Sequence, residues 1–158
     1  MTLSLAPLVS LLAFNFPGIE IHVLGTEIQA QRQIALMTLA NLFGVFGPLP
    51  PYLTADAEIV EKWWPRLNGT EFKVGIAWRG NTDHPADERR SFPVEALAPV
   101  LAVENIRFIS LQVGGQAEEP PPLVENFTHR LTDFSETAGV MSHLDLVITA
   151  DTALAHLA

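Results

Sequence analysis

At 158 residues, 48% of them hydrophobic, the chain is long enough for one domain with a sizeable core, or for one domain and part of another, and wholesale disorder is excluded. Its net charge of −9 argues against a broad nucleic-acid surface, which needs clustered Lys and Arg, but leaves room for a local anion site made of backbone N–H groups. Cysteine is absent, which excludes disulfides and thiol catalysis and fits a reducing, cytoplasmic setting.

The apolar stretch from Leu3 to Phe14 lacks the basic n-region of a signal peptide. It is also shorter than the roughly 20 apolar residues that span a bilayer. A buried helix over 5–14 is expected, closed by Asn15 and the Pro17-Gly18 turn, with no membrane span. Without a secretory signal, the sequons at Asn68 and Asn126 carry little weight. Ile19 to Leu24 begins with apolar–polar alternation and predicts a strand. Residues 28–43 read two ways: Leu36, Leu39, Ala40 and Phe43 have helical spacing, whereas Gln33 to Met37 suits a short strand. The Gly- and Pro-rich loop from Gly44 to Pro51 is the natural boundary, dividing the chain into 1–56 and 57–158. Ala55 to Leu67 predicts a helix whose Trp63-Trp64 pair packs across the domain junction, with Pro65 disturbing the last turn.

Val74 to Trp78 is a short apolar run without charge, as in a strand buried on both faces of a parallel sheet. It ends in the turn signal Arg79-Gly80-Asn81. A polar loop, Thr82 to Arg90, leads to Ser91 as an N-cap and to a helix over 93–103, kinked at Pro99. Ile106 to Leu111 reads as the next strand and His129 to Leu131 as a short one. Ser135 is expected to cap a helix reaching His143. Leu144 to Thr149 is a further buried strand, and Asp151-Thr152 opens a final helix. This alternation predicts an α/β fold with a parallel sheet.

If the strands are parallel, the loops Arg79–Arg90, Gln112–Gly115, Thr132–Ser135 and Ala150–Thr152 share one sheet edge, where ligands of open α/β sheets bind. Thr152 can offer a hydroxyl to a phosphate at a helix start, and His156 follows one turn later on the same face. Asp151 suits a sugar or ribose hydroxyl better than a phosphate. Alternatively, Asp151 caps the helix and His156 packs in the core. Gly80 permits close backbone approach, Asn81 and His84 can hydrogen-bond, and Arg90 can hold a diphosphate. The bland alternative is a solvated loop with an Asp87–Arg90 pair. His84, Asp83 and Asp87 match no trusted metal-ligand spacing, so no metal is expected. Gln112-Val113-Gly114-Gly115 resembles part of a phosphate turn without completing a G-x-G-x-x-G.

The ordered set K-V-G-I-A-W-R-G-N (73–81), His84-x-x-Asp87-x-x-Arg90-Ser91, F-I-S-L-Q (108–112), T-D-F (132–134) with Glu136-Thr137-Ala138, and D-L-V-I-T-A-D-T-A-L-A-H-L-A (145–158) resembles a known family. It is similar to the C-terminal half of bacterial TPR-linked glycosyltransferases, related to the lipopolysaccharide heptosyltransferases (glycosyltransferase family 9) and more remotely to O-GlcNAc transferases. The first 56 residues resemble the end of the preceding domain, which favours the strand at Gln33 to Met37. The resemblance implies a GT-B architecture of Rossmann-like domains, cut short at both ends, with 1–56 a remnant of the N-terminal domain plus linker. It implies inverting, metal-independent transfer from a nucleotide sugar, with no cofactor. By position, Gly80, Asn81, His84, Arg90 and Gln112 would line the donor cleft, and Asp151, Thr152 and His156 would hold the diphosphate and sugar. Val113 stands where many relatives have Lys, and Glu88 where they often have Arg; both weaken phosphate binding. The family's catalytic base segment is missing, so the chain alone is expected not to catalyse transfer. The alternatives are a nucleotide-binding module without chemistry and a remnant that self-associates through its truncated sheet.

Overall fold

The structure, a computed structural model, describes residues 2–44, 51–81, 87–113 and 119–158. The chain divides into two compact units, Met1–Thr54 and Ala55–Ala158. Among the described residues, no helix is long and apolar enough to cross a membrane.

The first unit holds β1 (Thr2–Ser4), α1 (Val9–Asn15), β2 (Ile21–Val23) and α2 (Leu36–Phe43). β1 and β2 pair in parallel, with Thr2 opposite Ile21 and Ser4 opposite Val23. β1 lies just ahead of the expected helix and had no signal of its own. The helix begins as a 3-10 turn, Ala6–Leu8. It is not a buried helix: Leu11 is its one buried side chain, and Leu5 and Phe14 are exposed. A two-stranded sheet is too narrow to cover more of it. Asn15 ties the helix end to the last residue of the unit. Its Nδ2 donates to Leu11 O at 2.9 Å and Thr54 O at 3.0 Å, and its Oδ1 accepts from Thr54 N–H at 2.7 Å. No strand forms at Gln33–Met37: 33–35 are irregular, and the helix starting at Leu36 follows the 3.6-residue spacing instead.

The second unit starts with α3 (Ala57–Leu67), whose N-cap Asp56 accepts from Glu58 N–H at 2.9 Å. Then come β3 (Phe72–Ala77), the single turn α4 (Asp87–Arg90), α5 (Ala98–Leu101) and β4 (Ile106–Ser110). β5 (Val124–Asn126), α6 (Phe134–Met141), β6 (Leu146–Thr149) and α7 (Ala153–Leu157) complete it. The four strands form a wholly parallel sheet in the order β5-β4-β3-β6. Strand alternation assigns β3 residues to two faces. Val74, Ile76 and Trp78 join Phe108, Val124 and Leu97 under the 92–101 segment. Ala77 joins Ile109, Leu111, Trp63, Leu67 and Val140 under α3 and α6. On that second face Gly75 admits Leu144 and Leu111, whose methyl carbons would lie 2.5 and 2.7 Å from an added Cβ.

Several local expectations are corrected. The helix over 93–103 is two pieces, a 3-10 turn Val94–Leu97 and then α5, with Pro99 in the first turn of the second. Ser91 caps neither. The strand expected at His129–Leu131 is a 3-10 turn, Thr128–Arg130, and the strand is Val124–Asn126, where only Val124 is apolar. Asp133, not Ser135, caps α6 by accepting from Glu136 N–H at 3.0 Å. The Trp pair divides its labour. Trp63 is buried within this unit and meets Phe127 edge-on at 5.5 Å, while Trp64 is exposed beside His143.

β4 and β5 are tied to α3 by Arg107. It makes a two-pronged pair with Glu125 and donates to the carbonyls of Arg66 and Asn68 at the C-terminal end of α3. The hydrogen bond to Glu125 raises the guanidinium's pKa, against partial burial, which lowers it.

α6 lies against α3 with only a hydrogen atom at Gly139 between them. A Cβ there would meet Ile59 Cγ2 at 2.6 Å, Trp63 Cδ1 at 3.3 Å and the Ile59 carbonyl carbon at 3.4 Å. Gly139→Ala is therefore expected to destabilise the chain by about 1–3 kcal/mol despite its better helix propensity. Urea unfolding checks this; an unchanged midpoint would contradict the packing described.

Candidate functional site

The chain lays down β3, steps outward to β4 and β5, then returns to place β6 on the other side of β3. In open α/β sheets, ligands bind in the crevice at the carboxyl edge where the strand order reverses in this way. Arg79-Gly80-Asn81 leaves β3 there, and Ala150-Asp151-Thr152 leaves β6.

Three separate segments meet at Gly80. A Cβ added to it would lie 2.9 Å from Asp87 Oδ1, 3.4 Å from Arg90 Nη2 and 3.4 Å from Thr152 Cγ2. The first two come from α4 and the third from the β6–α7 turn. The missing side chain at Gly80 thus lets Asp87, the Arg90 guanidinium and the Thr152 methyl close on this turn. Arg90 Nε is buried without a hydrogen-bond acceptor among the described residues. A buried orphan donor costs free energy until an acceptor arrives.

The crevice wall is braced by groups whose sequence role was misread. Asp87 is 7% exposed and accepts from Ser91 Oγ–H at 2.7 Å, and Ser91 Oγ accepts from Gly80 N–H at 3.0 Å. Arg79 Nε lies 3.7 Å from Asp87 Oδ2. Asp87 therefore holds the Gly80 turn and pairs with Arg79, where an Asp87–Arg90 pair was the expected alternative. The i, i+4 spacing of Asp87 and Ser91 was the available signal for this brace.

Gln112 is 3% exposed and fully used by backbone. Its Oε1 accepts from the N–H groups of Trp78 and Arg79 at 3.1 and 2.9 Å, and its Nε2 donates to Arg79 O at 3.0 Å. It clamps the end of β3 and so positions the Gly80 turn. Thr152, rather than Asp151, caps α7, its Oγ1 accepting from Leu154 N–H at 3.3 Å. Asp151 is exposed on the same turn, and His156 is exposed on α7 rather than packed in a core. Asn81 is exposed at the end of the turn. His84 and Asp83 lie outside the described residues, as do Gly114 and Gly115. The structure thus brings Gly80, Arg90 and Thr152 together, sets Gln112 behind them, and leaves Asp151 and His156 in solvent. Among the described residues no group of three or more His, Asp or Glu side chains could hold a metal ion.

No family model, no curated protein and no solved structure matches this chain.

Gln112→Ala should cost about 1–3 kcal/mol, because it strips buried N–H groups of their acceptor. It should also speed amide hydrogen exchange at Trp78 and Arg79. Exchange at these two sites no faster than in the parent chain would refute the clamp.

Proposed function

We propose that residues 55–158 hold a nucleoside diphosphate sugar in the crevice between β3 and β6, as the donor site of an inverting, metal-independent glycosyltransferase of GT-B architecture. The observation that carries this reading is the meeting of Gly80, Arg90 and Thr152 where the strand order reverses. Counted from β3, the order β5-β4-β3-β6 is that of a mononucleotide-binding half followed by the first strand of the next. In this reading Arg90 forks onto diphosphate oxygens, satisfying its orphan Nε. Thr152 adds its hydroxyl, and the bare Gly80 lets the pyrophosphate approach the backbone. Asp151, exposed at the rim, accepts from a ribose or sugar hydroxyl. His156 on α7 and Asn81 after β3 contact the sugar.

Binding without transfer is the second reading. Val113, 46% exposed just past the end of β4, favours it, because it offers a diphosphate neither charge nor hydrogen bond.

Thermal unfolding with and without ADP, UDP, GDP and their sugar conjugates tests the donor site. A nucleotide at about 100 times its dissociation constant stabilises the chain by about 2.7 kcal/mol. One nucleotide family is expected to raise the midpoint by several degrees, and Arg90→Ala or Thr152→Ala should abolish the rise. Thr152→Ala also removes a helix cap, worth about 1 kcal/mol, so the ligand-induced shift is the quantity to compare. A cooperative melt that no nucleotide moves would refute the reading.

A further inference from the structure

A second pocket, of about 240 Å³, lies between α3, the connection from β5 to α6 and the first turn of α6. Lys62, Trp63, Arg66, Arg130, Thr132 and Glu136 line it, and none of Gly80, Arg90 or Thr152 does. A chain of net charge −9 has nine Lys and Arg residues, and three of them face this one space. The single carboxylate among them is fully committed. Glu136 Oε1 takes the Lys62 ammonium, and Oε2 accepts from Trp63 Nε1–H at 2.8 Å. Three cations against one carboxylate leave the lining at +2. Arg66 lies with its guanidinium carbon 6.0 Å from the centre of the Trp63 ring. Among the described residues, neither Arg66 nor Arg130 has a carboxylate partner.

Like charges held around one concavity raise the local potential and favour a counter-charge there. Guanidinium forks match the oxygens of a phosphate, and the Thr132 hydroxyl can add a hydrogen bond. The volume lies below the roughly 300 Å³ at which pockets for drug-sized ligands begin, so a nucleotide sugar does not fit. We propose that this pocket binds the phosphate monoester of a small molecule, separately from the crevice at the strand reversal. Such a ligand bridges α3, through Arg66, to the β5–α6 connection, through Arg130, and clamps two elements that already meet at Trp63.

The test is calorimetric titration of the whole chain with inorganic phosphate and with glycerol 3-phosphate, and with glycerol as the neutral control. Proton–nitrogen spectra report the indole N–H of Trp63. Both phosphates should bind and move the Trp63 indole signal, and glycerol should do neither. Binding should strengthen from pH 5 to pH 8, because the second ionisation of both phosphates falls within that range. Arg66→Ala and Arg130→Ala, both at exposed positions, should each weaken binding about tenfold or more, as expected for a lost charged hydrogen bond. Arg90→Ala and Thr152→Ala should leave it unchanged. The proposal is overturned by absence of binding at millimolar phosphate, by equal binding of glycerol, or by loss of binding in the Arg90 or Thr152 variant instead. Should either arginine variant fail to melt cooperatively, the Trp63 signal of the parent chain with phosphate against glycerol still decides.

Discussion

β3 is hydrogen-bonded on both sides and buried on both faces, and the second unit is built outward from that fact. From Val74 onward such a strand is apolar and alternates between two cores, while the buried Lys73 at its start donates to the carbonyls of Gly69 and Glu71. Val74, Ile76 and Trp78 supply one, and Gly75 and Ala77 yield room to the other. With β4 on one side and β6 on the other, the reversal of strand order falls at the end of β3. That reversal therefore lies beside Gly80. Burial and site position have the same cause.

The crevice is held from behind rather than by its own lining. Gln112, at the end of β4, takes both N–H groups and one carbonyl where β3 ends, and Asp87 and Ser91 fix the next turn. Polar groups buried at this edge are satisfied by one another and by backbone, which costs little and sets the turn rigidly. Among the described residues, Trp78 Nε1 and Arg90 Nε depart from that rule, and Arg90 Nε is the one beside Gly80. That donor lies beside a glycine whose missing side chain lets Asp87, Arg90 and Thr152 close on the turn, and an anion there would complete its hydrogen bonding.

Much of this was legible in the sequence, and the failures have physical reasons. The Val74–Trp78 run, the Ile106–Leu111 run and the Leu144–Thr149 run are apolar enough to be strands and little else, so the parallel sheet followed. β5 escaped because a three-residue edge strand with one buried side chain has no pattern to read, and the nearby His129–Leu131 took its place. The caps were misplaced by one or two residues where several candidates adjoin: Asp133 over Ser135, and Thr152 over Asp151. At the site, Gly80, Arg90 and Thr152 were legible because turn-forming and phosphate-binding residue types followed strands. Gln112 was singled out as well, but which way its amide points is a matter of tertiary packing that no local pattern encodes. The basic pocket at α3 and α6 went unnoticed because its cations are scattered from Lys62 to Arg130 and only packing assembles them.

The most direct measurement is amide chemical-shift mapping of the whole chain titrated with the nucleotide diphosphate that stabilises it best. The account predicts the largest shifts at Gly80 and Asn81 and from Asp151 to Leu154, with the Arg90 side-chain Nε–H signal moving downfield as it gains an acceptor. Shifts confined to the Lys62–Arg66 face, or spread evenly over the surface while the Gly80 and Thr152 amides stay still, would contradict it.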